Sequence, residues 1–158
     1  PRTLLSMVPA GPLSGTARRL RQLLEDHERT AVLVVSLPED MSVRETIELC
    51  GVLRDDLGLH IARPIVNRVF PRRFSRTDAE AIRACEGDTT GPVGAAAEFA
   101  IARRREAERH VAHRRRALGT NPVLFRQLFV ADVRADHLAA LGRTIGRSLL
   151  GDEKEASR

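Results

Sequence analysis

The sequence predicts an α/β domain, part of a parallel sheet flanked by helices, and three observations carry that reading. AVLVVSL (31–37) is an uninterrupted apolar, β-branched run between polar flanks, the pattern of a strand buried on both faces. A helical pattern and then a second apolar run, Ile61–Phe70, follow it. Strand, helix and strand of these lengths make a βαβ unit, with a right-handed crossover expected. The 158 residues, 42% hydrophobic and 30% charged, are one domain's worth of chain and enough to enclose a core.

Each element has a local reason. Pro9–Leu13 (PAGPL) reads as a loop; Leu13, Ala17, Leu20 and Leu24 then recur at helical spacing, predicting an amphipathic helix over 14–27. Pro38 ends the first strand. Ser42 and Glu45 form a capping-box signature, because hydroxyl and carboxylate can each satisfy an orphan helix amide. Val43, Ile47, Cys50, Leu53 and Leu57 make one apolar stripe, and Gly58 suits the position after a helix end.

Beyond Pro71 the spacing predicts a short helix over Thr77–Cys85, with Thr77 and Glu80 as a capping pair. EGDTTGPVG (86–94) is a joint of turn formers. Residues 95–118 form a long Ala/Arg/Glu helix with sparse apolar positions (Ala97, Ile101, Val111, Leu118), stopped by Gly119. PVLFRQLFV (122–130) contains a third strand, expected in its second half, and Asp136–Leu150 is a final amphipathic helix. Residues 1–150 are read as one unit and 151–158 (GDEKEASR) as a polar tail.

Composition narrows the function. No apolar run approaches the roughly 20 residues that span a bilayer, and no export signal is expected at the start. The chain opens with Pro1 and is read as part of a longer polypeptide. Cys50 and Cys85 share no metal-ligand spacing, and so few cysteines favour a reducing, cytoplasmic setting. The net charge is +5, yet Lys154 is the sole lysine. A phosphate-binding loop of the Walker A type needs a lysine after a glycine-rich turn. Lys154 sits in the polar tail, and Gly142–Ser148 imitates the motif one residue short with Arg147 in the lysine's place.

Candidate chemistry centres on Asn67, the one uncharged polar residue of strand IVNRV. In an open α/β sheet, ligands collect outside the carboxyl ends of the strands. An amide there offers donor and acceptor together, as the edge of a purine requires; the alternative is a hydrogen bond to a neighbouring loop. Pro38-Glu39 follows the first strand on the same side, where the carboxylate either approaches a ligand or is a solvated charge at a helix N-terminus. Arg103–Arg105 and Arg114–Arg116 fan around their helix, with Glu106 and Glu108 at pairing distance in sequence. With 3% aromatics, that pattern reads as a solvated helix and weighs against nucleic acid. His110 and His113 are i,i+3 neighbours without a completing ligand, and no metal site is expected. No GxSxG elbow or Cys/His nucleophile pattern is present, and no catalytic residue is assigned.

The string LLEDHERTAVLVVSLPEDMSVRETIELCGVLRDDLGLHIARPIVNRVFP resembles the arsenical pump-driving, anion-transporting ATPase family, to which the tail-anchored protein targeting ATPases are related. Leu24, Asp26 and Thr30, Pro38-Glu39, Ser42, Glu45-Thr46, Val66-Asn67 and Pro71 carry the likeness over about residues 20–71. The resemblance implies the C-terminal half of an ATPase unit with a three-layer P-loop NTPase-type sheet of the deviant Walker A type. ATP would be held at a dimer or paired-subunit interface, with Mg2+ and the triphosphate mainly on an N-terminal half. Asn67 matches the asparagine that contacts adenine. Phe129, Val130, Ala131 and Asp132 match the loop over the base, with Val130-Ala131 where members often carry a proline. A membrane transporter or membrane-protein client is the implied partner, and the family's eukaryotic zinc CxxC is absent. Two other readings stay open: a non-catalytic partner-binding module of the same fold, and a relative of the partitioning ATPases associated with nucleic acid.

Overall fold

Strands β1 (Val35–Ser36), β2 (Ile65–Val69) and β3 (Val123–Arg126) lie side by side in that order, all parallel. The helices are α1 (Pro12–Glu25), α2 (Asp40–Gly51), α3 (Arg76–Ala84), α4 (Pro92–Leu118) and α5 (Ala135–Leu150); of these α2, α4 and α5 contact the strands, and α3 packs on α4. The computed structural model describes residues 11–84 and 91–150. Cys85, most of the 86–94 joint, the first part of the Pro9–Leu13 loop and the polar tail with Lys154 lie outside them. Among the described residues no helix is long and apolar enough to cross a membrane.

The strand-helix-strand unit forms as the pattern predicts, with differences that have local causes. The first strand is a two-residue ladder plus an isolated parallel bridge, Val32 with Ile61. Its partner stretch is interrupted by Pro64, which has no N–H to give; the Pro64 carbonyl instead accepts from Val123 N–H at 2.8 Å. Nor is the first strand covered on both faces. Val34 and Ser36 are buried, whereas Leu33 and Val35, on the opposite face, are 44% and 55% exposed.

Helix α2 starts two residues before the expected cap, with Glu39 as its N-cap and no side-chain cap bond. Ser42 therefore sits inside the first turn, and its Oγ accepts from Leu37 N–H at 3.0 Å, satisfying an amide left over from the strand. The expected stripe is seated by Val43 and Cys50, each 1% exposed. After Gly51 the helix widens into a π-turn over Val52–Asp56, with Leu57 N–H reaching the Val52 carbonyl at 3.0 Å. Gly58 then turns the chain at φ 65°.

The cap of α3 also differs from expectation. Ser75 and Asp78, not Thr77 and Glu80, form the reciprocal box: Ser75 N–H donates to Asp78 Oδ2 at 2.8 Å and Asp78 N–H to Ser75 Oγ at 3.0 Å. These bonds favour the ionised carboxylate and hold the Asp78 pKa below its usual value. Helix α4 begins at Pro92, three residues earlier than read, because proline fits a first helical turn. It ends at Gly119 (φ 68°), whose N–H caps the Arg115 carbonyl at 3.0 Å. Strand β3 occupies the first half of the 122–130 run, not the second, because its partners on β2 fix it: Val123 lies beside Ile65 and Leu124 beside Val66. α5 packs along β3, and Arg63 Nη1 donates to the Ser148 carbonyl near its end at 2.8 Å.

The core determines the shape of β2. Val66 and Val69, 1% and 2% exposed, both pack against Ala107 of α4, with Val111 beside them. Side chains three apart on a regular strand point to opposite faces. The ladder resolves this with an irregularity in which Val66 pairs with Leu124 and Val69 with Arg126, so β2 spends one extra residue over that interval. Arg68 takes up the excess in a left-handed conformation at φ 58°, and it is the sole described non-glycine residue with positive φ.

A second polar element penetrates the same region. Arg114 of α4 is 1% exposed and donates from Nη1 to Ser36 Oγ at 2.8 Å and to the Ile65 carbonyl at 3.0 Å. Its Nε and Nη2 are buried without a hydrogen-bond partner. Desolvation lowers its pKa, and burial raises that of the Cys50 thiol, with Arg114 and Arg54 pulling the thiol partly back. The sequence pattern places Arg114 on a solvated helix with its neighbours, and the structure differs. It falls on the face already carried by Ala100, Ala107 and Val111, and that spacing selects it from the Arg114–Arg116 triplet.

Two stability measurements test this account. A β-branched residue cannot relax into a left-handed backbone, so Arg68→Val should cost about 1–3 kcal/mol in chemical denaturation, while Arg68→Gly should stay within about 1 kcal/mol of the parent. Equal stability of Arg68→Val and the parent would remove the bulge. Arg114→Met, which keeps the volume and deletes a desolvated cation, should be neutral or stabilising to about 1 kcal/mol; Arg114→Ala, which leaves a cavity, should lose about 2–4 kcal/mol. A Met variant as unstable as the Ala variant would show that the two hydrogen bonds, and not the filled volume, hold the site.

Candidate functional site

Because the strands are parallel, their carboxyl ends share one edge, and the chain leaving each strand meets the others there. Asn67 lies in β2, half-buried, at the point where the ladder shifts. Its Oδ1 accepts the Arg68 N–H at 2.8 Å, replacing a ladder bond that the bulge disrupts. The Nδ2 group makes no hydrogen bond among the described residues. Two donor hydrogens and one remaining lone pair on Oδ1 are left for a ligand. One side of the amide is thus spent on its own strand backbone, not on a neighbouring loop, and the other side makes no hydrogen bond among the described residues.

Arg68 and Gln127 clamp the bulge to the segment after β3. Arg68 Nε donates to Gln127 Oε1 at 2.8 Å, Gln127 N–H to the Val69 carbonyl at 2.9 Å, and Gln127 Nε2 to the Leu128 carbonyl at 2.9 Å. Neither residue stands out in the sequence; an uncharged amide, Gln127, in the middle of the third apolar run is the available signal.

The same edge carries an aromatic group. Phe129 meets Phe70 edge-on at 5.2 Å between centroids, and Phe70 meets Phe99 of α4 at 6.1 Å. The Arg73 guanidinium lies over the Phe129 ring at 4.9 Å, a cation–π arrangement. Of the four residues expected to cover a base, Phe129 is therefore tied to the chain that leaves β2, and all four, Phe129, Val130, Ala131 and Asp132, are exposed. Phe70 and Phe99 were not picked out in the sequence, since 29 residues separate them.

Glu39 stands where expected, exposed at the end of β1 and at the N-terminus of α2. The other candidates are mostly paired on the surface. Arg103 bonds Glu106 at 3.0 Å and Arg104 bonds Glu108 at 2.8 Å, the pairings anticipated from their spacing. Arg104 Nη1 also donates to the Phe70 carbonyl at 2.9 Å, fastening α4 to the end of β2. His110 approaches Glu106 at 4.0 Å. Among the described residues no three metal-ligating side chains converge. Asn67 lines none of the larger cavities formed by these residues, so on this chain its amide stands at an open edge.

Against known proteins, no curated sequence matches the chain. A family model does match, that of the anion-transporting ATPases, over residues 13–89. The matched span runs through α1, β1, α2, β2 and α3 and includes Asn67; it ends before α4 and before Phe129–Asp132. Over residues 13–89, the stretch that contains the βαβ unit and its bulge, the chain is similar to the anion-transporting ATPase family.

Proposed function

We propose that the chain is the C-terminal part of a cytoplasmic ATPase that couples ATP binding and hydrolysis to anion transport or to membrane-protein delivery, with Asn67 as its adenine contact. The observation that carries this reading is an amide inside the family-matched span, set at a strand bulge on the carboxyl edge of the sheet, with its Nδ2 hydrogens uncommitted. Bulges recur beside ligand sites because they re-aim a side chain. An Asn amide pairs with adenine by donating to a ring nitrogen and accepting from the exocyclic amine, and these are the valences Asn67 retains. The Phe70–Phe129 pair and the Arg73 cation beside it supply apolar and cationic surface at the same edge, on which Val130, Ala131 and Asp132 extend.

The phosphate end belongs elsewhere in this reading. The chain has no glycine-rich turn ending in Lys-Ser/Thr, and its described residues bring together no three carboxylate, histidine or cysteine ligands. ATP with Mg2+, when bound, supplies the phosphoryl chemistry through positioning and charge neutralisation. The residues of this chain bind and orient the base, and the triphosphate and metal are held mainly by the other half, in a dimer or paired subunit.

Two experiments bear on this. In the full-length protein, Asn67→Ala should weaken ATP binding by about 1–3 kcal/mol, since it strands the base's polar edge; titration calorimetry reads this directly, and unchanged affinity would remove Asn67 from the site. The isolated chain should show no Mg2+-dependent ATP turnover, and turnover that follows the purified chain through successive columns would refute the division of labour.

A further inference from the structure

The opposite edge of the sheet, where the strands begin, holds a cavity of about 610 Å3. The chain entering β2 (Leu59–Pro64) and the chain entering β3 (Leu118, Thr120, Asn121) form two sides; His27 and the end of α2, with Cys50 and Arg54, close the others. No residue of this lining is acidic, while His27, Arg54, His60 and Arg63 can each carry positive charge. Leu59, Ile61, Pro64 and Leu118 supply an apolar floor.

The cationic groups differ in how firmly they are held. Arg63 is locked by bonds to the Asn121 and Ser148 carbonyls, both at 2.8 Å, so its charge is fixed in the wall. Arg54 shares its Nε with Asp55 at 3.0 Å. His27 Nε2 contacts the Gly58 carbonyl at 3.0 Å, and the His27 and His60 rings lie 5.7 Å apart. The side chains of His60, Thr120 and Asn121 make no hydrogen bond among the described residues. Behind the Cys50 wall, the charge of buried Arg114 also reaches the thiol.

We propose that this cavity binds a small organic anion: a carboxylate carrying an apolar body, its head among Arg54, His60 and Thr120 and its body on Ile61 and Leu118. The volume is that of a small-molecule site, in the range of about 300–1,000 Å3, and an inorganic anion would leave the floor unused. A neutral apolar ligand would leave the polar side chains of His60 and Thr120 unanswered, and a metal ion would find two imidazoles and no third ligand among the described residues. The site lies across the sheet from Asn67 and does not rest on the nucleotide reading.

Hexanoate serves as the probe, with acetate (the head alone) and hexanamide (the body without charge) beside it. The 158-residue chain is titrated at pH 7 and the histidine ring resonances are followed by NMR. Hexanoate should give saturable shifts of His27 and His60, with acetate and hexanamide at least tenfold weaker. Arg54→Gln and His60→Gln, both at exposed positions, should together weaken hexanoate at least tenfold while leaving the circular dichroism spectrum unchanged. Hexanamide binding as well as hexanoate would reduce the site to an apolar hollow. Shifts that fail to saturate, or that persist in the double variant, would overturn the proposal.

Discussion

Two valines pressed against one helix face constrain this molecule more than any other contact. Val66 and Val69 must both reach Ala107, and a flat strand cannot deliver them there. The extra residue that reconciles them forces Arg68 into a left-handed backbone, and the Arg68 amide then takes Asn67 Oδ1 as its acceptor. Core packing on one side of β2 thus sets the orientation of a polar group at its carboxyl end. Burial of two aliphatic side chains, about 1.5–3 kcal/mol each, readily exceeds the roughly 1–2 kcal/mol that a left-handed non-glycine residue costs.

The sheet separates two kinds of surface. At its carboxyl edge stand an amide, an aromatic pair and a stacked arginine. At its amino edge is a cavity with cationic walls and an apolar floor. Between them, Arg114 joins α4 to β1 and β2 through two hydrogen bonds and leaves two nitrogens unanswered. A buried guanidinium without a carboxylate is a poor source of stability; what it supplies here is positive potential inside the fold, felt at Cys50 on the wall of the amino-edge cavity.

Much of this was legible in the residues. The β-branched run, the stripe ending at Gly58 and the stop at Gly119 are local signals, and each element they predict exists, shifted by a few residues at its ends. The family likeness, read from strings such as SLPED and VNRVFP, coincides with the matched span. Most of the departures are non-local. Nothing in IVNRV alone announces a bulge, because the need for it arises from α4, some forty residues later. Nothing in PVLFRQLFV says which half pairs, because β2 decides. The Ser75–Asp78 cap was readable and was passed over for a pair two residues on, since both match the same motif. Of the residues at the carboxyl edge, Asn67 was distinguishable by its polarity within an apolar strand, whereas Phe70 and Phe99 join Phe129 through tertiary contact that no spacing encodes.

The first strand carries a consequence for how the polypeptide behaves in solution. Among the described residues β1 has a neighbour on one side only, and its outward side chains, Leu33 and Val35, face solvent. From Ala31 to Leu37 there is no charge to discourage a second molecule from adding its own backbone to that margin, the usual safeguard on a sheet border. Oligomers nucleated here would grow by edge-to-edge accretion. The seven residues that announce the fold most clearly are therefore also those most apt to join copies of it together, unless other polypeptide covers them.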